Sequence, residues 1–180
     1  MYGMVNKAIE AMVSADHGER MWEKIKRKAG VDVEVFISNE GYPDEMTFAL
    51  VVAASEELDT PVPLILEAFG EHWILKTALG DYGDMLSAGG SSLSEFLINL
   101  PTFHARVSLM LPHLQPPRFR LMSTGENWVR IGYESSREGL CPFVVGLFRG
   151  LGKMYGTPAT VQHVADKSAG AAFDEFLVSW

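Results

Sequence analysis

Trp128-Val129-Arg130-Ile131-Gly132-Tyr133-Glu134-Ser135-Ser136-Arg137 is the stretch on which the fold turns. Its first part alternates apolar and polar residues with the two-residue period of a half-buried strand. Upstream, Arg118 to Met122 alternates in the same way, and a turn at Ser123-Thr124-Gly125-Glu126 is expected to join the two. Downstream, Leu140 to Met154 is strongly apolar and reads as a helix, with Pro142 tolerable only near its start. Thr160-Val161 and Phe173 to Val178 read as two further strands. The expected order around the stretch is therefore β-β-α-β-β, with an antiparallel sheet.

The same stretch carries chemistry. Side chains alternate across a strand, so Tyr133, Ser135 and Arg137 are expected on one face, a row of donors ending in a permanent positive charge. Such a row suits a ligand with two carboxylates, because Arg grips a carboxylate bidentately and hydroxyls satisfy the remaining oxygens. A haem, with its two propionates, is a ligand of this kind. The competing reading of the motif alone is an ordinary polar strand face ending in a solvated Arg.

The first half of the chain reads as helices. Met4, Val5, Ala8, Ile9 and Met12 recur at helical spacing, and a second amphipathic stretch around Met21-Trp22-Ile25 closes at Gly30. Pro43-Asp44-Glu45 opens a third helix that runs through Ala54. Pro61 or Pro63 opens a fourth, which contains Phe69 and Trp73 and ends near Gly80. After a loop at Gly89-Gly90-Ser91-Ser92 comes a short helical piece at Leu93-Phe96-Leu97. Pro101 then fits the first turn of a new helix, where its missing amide hydrogen costs nothing. That helix carries His104, Val107, Ser108 and Leu111 along one stripe and stops at Pro112 and Pro116-Pro117. The fold class is α+β, a single domain spanning residues 1–180.

A net charge of −8 argues against nucleic acid and against an anionic membrane surface. No apolar run approaches the roughly 18 residues that span a bilayer, and the N-terminus lacks the apolar stretch of a signal peptide, so cytoplasmic residence is expected. A single cysteine, Cys141, excludes an internal disulfide framework and a cysteine-only zinc site. It has no activating partner nearby in sequence and reads as a packed apolar thiol. The five histidines (His17, His72, His104, His113 and His163) lack the short spacing of a metal cage. A haem needs only one strong axial ligand, and His104, flanked by Phe103 and Val107, is the best placed.

Several dispersed segments together resemble a known family. Met1 to Ile9, Phe69-Gly70-Glu71-His72-Trp73, Leu100-Pro101-Thr102-Phe103-His104-Ala105-Arg106-Val107, Tyr133-x-Ser135-x-Arg137 and Val145 to Lys153 are similar to the haem nitric oxide/oxygen binding domain, H-NOX. The likeness covers nearly the whole chain, and it extends to bacterial stand-alone members and to the sensor domain of soluble guanylate cyclase. It implies a helical distal subdomain over about residues 1–65 and an α+β part over about 66–180. Haem b (iron protoporphyrin IX) would lie between them. By the same resemblance His104 is the proximal iron ligand, and Tyr133, Ser135 and Arg137 hold the propionates. Pro117 presses on the macrocycle, while Val5, Trp73 and Phe143 line the distal gas pocket.

The resemblance also implies a function. Oxygen-binding members carry a distal tyrosine where this chain has Phe143, which leaves the Trp73 indole as the one expected donor. The implied role is a sensor that binds nitric oxide, and carbon monoxide more weakly, with no stable oxygen complex. Weakening of the iron–His104 bond would signal to a separate protein, such as a histidine kinase or a cyclic-dinucleotide enzyme. The family's zinc-binding, redox-sensing members use clustered cysteines, which this chain lacks. No kinase motif, cyclase signature or phosphate loop is present, so the chain is not expected to be an enzyme. The rival readings are a haem enzyme such as a peroxidase, and a haem-free module for an apolar ligand.

Overall fold

Amphipathic spacing in the first half of the chain produces a helical layer. In the computed structural model, which describes residues 1–110 and 116–180, it comprises α1 (Gly3–His17), α2 (Glu19–Lys28), α3 (Asp44–Glu57) and α4 (Val62–His72). Their apolar faces meet in one core built from Ile9, Val13, Trp22, Ile25, Phe36, Leu50 and Phe69. Gly18, at φ 83°, makes the break between α1 and α2.

The fourth helix runs differently from expectation. It does not stop near Gly80. A π-helical turn, Trp73–Ala78, leads directly into α5 (Leu79–Ser87), whose helical backbone breaks at Tyr82 (φ −135°, ψ 26°). A π-turn widens the helix by one residue and often sits at a functional site.

Pro101 does not open a helix either. One helix, α6 (Leu93–Met110), runs through it and joins the two expected pieces. Its N-terminal part is anchored by the buried Leu93, Phe96, Leu97 and Leu100, and that burial outweighs the backbone bond the proline removes. The helix end expected at Leu111 and Pro112 lies outside the described residues, as does His113.

The strands form as expected in order, with shifted ends. They are β1 (Arg118–Gly125), β2 (Trp128–Glu134), β3 (Thr160–Ala165) and β4 (Asp174–Ser179), with α7 (Cys141–Met154) between β2 and β3. The sheet is antiparallel in the order β1-β2-β4-β3. The β1–β2 turn falls at Glu126-Asn127, later than expected, because β1 carries a bulge between Leu121 and Ser123 and continues to Gly125. One face of the sheet presents Phe119, Val129, Ile131, Tyr133, Phe176 and Val178 to α6 and α7, making a second core.

The two cores are joined mainly by α4 against α7. Gly70, Gly146 and Gly150 let the backbones touch: a Cβ on Gly146 would lie 2.1 Å from the Glu67 carbonyl oxygen, and one on Gly70 2.3 Å from that of Phe143. Ion pairs Arg149–Glu67 and Lys153–Glu71 flank this seam. Among the described residues no helix is long and apolar enough to cross a membrane.

Candidate functional site

Between the two cores lies a cavity of about 300 Å³, within the range of small-molecule sites. Its lining is almost wholly apolar and comes from both layers: Val5 of α1, Phe69 of α4, Leu100 of α6 and Phe119 of β1 are examples. Of the residues singled out from sequence, Val5, Trp73, His104, Pro117, Arg137 and Phe143 all line it. Residues spread over more than a hundred positions are thus brought to one space.

His104 enters from α6, three residues beyond Pro101. Its ring packs against Phe119, with centroids 4.7 Å apart, and against Phe103. Its Nδ1 is buried and has no hydrogen-bond partner among the described residues. Burial pushes the imidazole pKa down to about 4, so the ring is neutral at physiological pH. A buried, neutral imidazole with an unsatisfied nitrogen is costly in an apolar site unless something binds it.

The Tyr133/Ser135/Arg137 row is corrected in one respect. The strand ends at Glu134, so the three do not form a single strand face. The chain bends after Ser135, whose Oγ accepts a hydrogen bond from the Arg137 backbone N–H at 3.0 Å. Tyr133 is buried against Phe119 and Phe176, with its pKa raised chiefly by burial. Arg137 lines the cavity; Tyr133 and Ser135 stand outside its lining. The Arg137 Nε donates to Asp44 Oδ2 at 2.6 Å, and the N-terminal ammonium of Met1 meets Asp44 Oδ1 at 2.5 Å. Burial pushes the Asp44 carboxyl up, but hydrogen bonds and charges from Arg137 and the amino terminus outweigh it and hold the pKa below its ordinary value.

On the wall nearest α4 and α7, Phe143 stacks on Phe69 (5.2 Å between centroids, 29° between planes), and Phe69 meets Trp73 edge-on at 6.2 Å. Tyr82 also lines the cavity, which sequence reasoning missed. Its hydroxyl donates to Met4 Sδ at 3.8 Å, a weak bond. The Trp73 indole is therefore not the one donor in the lining. The irregular backbone at Tyr82 gives no periodic signal that could have flagged it. The buried Thr47, itself in the lining, donates its hydroxyl to Asn6 Oδ1 at 2.8 Å, while the buried Asn6 Nδ2 has no hydrogen-bond partner among the described residues.

Comparison with known proteins follows the same lines. A family model described as haem-NO-binding matches residues 2–163. Among curated relatives, soluble guanylate cyclase gcy-35 of Caenorhabditis elegans is 28% identical over 155 residues, covering 83% of this chain and 22% of its own length. Soluble guanylate cyclase 89Db of Drosophila melanogaster is 21% identical over 161 residues, with 89% and 24% covered. The chain thus spans about a quarter or less of the curated relatives it matches. Among solved structures, an H-NOX protein from S. oneidensis in the Fe(II)NO ligation state superposes with a TM-score of 0.88 at 19% identity, covering 99% of this chain and 98% of that one. The Fe(II) unliganded H-NOX protein from K. algicida gives 0.84 at 20% identity, with 99% and 96% covered.

Proposed function

Because the chain belongs to the haem-NO-binding, or H-NOX, family, we propose that it binds haem b in the cavity between its cores and senses nitric oxide. Carbon monoxide is the weaker ligand, and oxygen forms no stable complex. The observation that carries this reading is His104: a neutral, buried imidazole on the wall of an apolar cavity, with a nitrogen that nothing else satisfies. The residues present fit a haem, which joins a metal centre to an apolar ring and two carboxylates. The solved structures that the fold resembles include one in an Fe(II)NO and one in an Fe(II)CO state.

Bound haem would supply an iron that takes a diatomic gas and that needs an imidazole ligand from the protein. His104 provides that imidazole, and the apolar packing of Phe103 and Phe119 keeps it unprotonated. Arg137 provides the cation for the propionates, and Asp44 and Ser135 hold its head and its loop in place. Tyr133 serves as the buried support of that loop. Pro117, which also lines the cavity, would bear on the ring. Val5, Trp73 and Phe143 form the gas pocket, where Phe143 withholds the hydroxyl that bound oxygen needs more than nitric oxide does. His104 would tie the haem to α6, so that a change at the iron would be felt by that helix and read by a separate protein, such as a histidine kinase or a cyclic-dinucleotide enzyme. Residues of about 1–65 act as the distal subdomain and about 66–180 as the part that holds the haem.

The test is spectroscopic. The ferrous protein should show a Soret band that shifts with nitric oxide and no persistent oxy spectrum in aerated buffer. His104→Gly should lose haem and recover it with added imidazole. Haem retention by His104→Gly without imidazole would overturn the axial assignment. Peroxide turnover with a reducing dye at enzyme-like rates would favour a peroxidase instead.

A further inference from the structure

Two of the three buried polar side chains among the described residues meet in the helical layer: Asn6 of α1, 0% exposed, and Thr47 of α3, 3% exposed. The Thr47 hydroxyl donates to Asn6 Oδ1 at 2.8 Å. Asn6 Nδ2 has no hydrogen-bond partner among the described residues. Thr47 lines the cavity between the cores, as does Val5, the neighbour of Asn6 in sequence. We propose that Asn6 and Thr47 form a binding site for one water molecule, buried in the wall of the cavity.

The donors and acceptors of the pair do not balance. A carboxamide offers an NH2 donor group and an acceptor oxygen, and a hydroxyl offers a donor and two lone pairs. The single bond between them uses the hydroxyl proton and the amide oxygen, which leaves the Asn6 NH2 group unanswered. Turning the amide over does not mend this. Nδ2 would then face the hydroxyl, and Oδ1 would be the orphan in its place. A water answers both groups: its oxygen accepts from Asn6 Nδ2, and one of its O–H groups donates to Thr47 Oγ1. With the bond already present this closes a ring, from amide N–H to water, water to hydroxyl and hydroxyl to amide oxygen. Hydrogen bonds joined in this way strengthen one another.

The surroundings offer no other partner. Ile9 shares a face of α1 with Asn6, and Leu50 and Val51 share a face of α3 with Thr47; all three are buried and apolar. A buried amide left unanswered among such groups is destabilising, whereas internal waters settle at polar groups of this kind. Room is available, because Thr47 stands on the wall of a void of about 300 Å³. A water needs only about 10–15 Å³ of such space and at least two polar partners, which the pair supplies. Asparagine is also a weak choice for a helix interior, where a leucine of similar shape would serve the fold better. The water gives the amide at that position a task. Neither residue is among those assigned to the haem, so the site stands apart from the gas-sensing reading.

The experiment uses the protein as purified, isotope-labelled for NMR, with the Asn6 side-chain NH2 signals assigned through their own backbone. Nuclear Overhauser spectra should show cross-peaks from those protons to water, with the sign of a bound, slowly exchanging molecule. That measurement needs no variant to fold. The double variant Asn6→Leu with Thr47→Val, which replaces both polar groups by apolar ones of similar shape, gives an independent readout. If water closes the ring, the variant loses those bonds and its Tm should fall by about 2–4 °C. If the amide is a dry orphan, the same change removes a penalty and the Tm stays level or rises. Absence of the water cross-peaks at assigned Asn6 signals would overturn the proposal, and so would an unchanged or raised Tm of the double variant. A protein without a Soret band would defeat the haem reading and leave this site to be judged by the same two measurements.

Discussion

Phe143 and Asp44 act as single residues, one on selectivity and the other on stability. Phe143 has no donor, and its ring is held by Phe69 rather than by a polar group. Phe143→Tyr places a hydroxyl on the cavity wall, and one hydrogen bond to bound oxygen is worth about 1–1.5 kcal/mol, or roughly tenfold in dissociation rate. Stopped-flow measurement of oxygen release should therefore show slowing; an unchanged rate with the new hydroxyl seen facing the ligand would count against the mechanism. Asp44 is held ionised by Arg137 and the amino terminus, so its folded pKa lies below the unfolded one. Its contribution is present above the unfolded pKa, near 4, and disappears as pH falls through the folded value. The Tm advantage of the parent over Asp44→Asn should accordingly shrink as the pH is lowered from neutrality to below about 4. Thermal melts across that range give the answer, and a difference that stays constant would show that Asp44 is not the titrating group. His104 and Arg137 were legible as candidates from residue type together with the family resemblance, and both line the cavity. The Asp44 partner was not, because it comes from another layer of the fold.

The α4–α7 seam and the proline within α6 act as elements. Gly146→Ala would drive a Cβ into the Glu67 carbonyl oxygen, which is backbone and cannot rotate away. The expected cost is about 1–3 kcal/mol, or a few degrees in Tm for a chain of this size. Gly80→Ala in α5 is the control: nothing lies within 4 Å of its Cβ, so the change should be neutral or slightly stabilising. Equal melting losses in the two variants would mean that close approach is not what Gly146 supplies. In α6, Pro101 interrupts the backbone bonds between the buried N-terminal half and the turn that carries His104. Helix periodicity could be read on both sides of Pro101. That the two pieces are one helix could not, since a proline reads equally well as a first-turn residue. Burial of Leu93, Phe96, Leu97 and Leu100 made the choice.

At the scale of the whole molecule, a cavity separates two cores that are otherwise tied by the seam and by the Arg137–Asp44 pair. A ligand that fills this space binds the folded state alone and stabilises it by mass action. Haem removal should therefore lower the apparent Tm, and the Tm of the stripped protein should climb with added haem. Identical melts with and without haem would place the ligand elsewhere. By itself the sequence determined the α+β class, the strand order along the chain and the helical first half, and it offered His104 and Arg137 as candidate ligand-binding residues. These follow from local periodicity and from residue type, which are properties of short segments. Tertiary structure alone decided the bend after Ser135, the retreat of Tyr133 from the cavity and the entry of Tyr82 into it. Each of these depends on sheet register and on helices packing across long sequence separations. No local pattern encodes such contacts, because their energy exists only once the two cores have closed on each other.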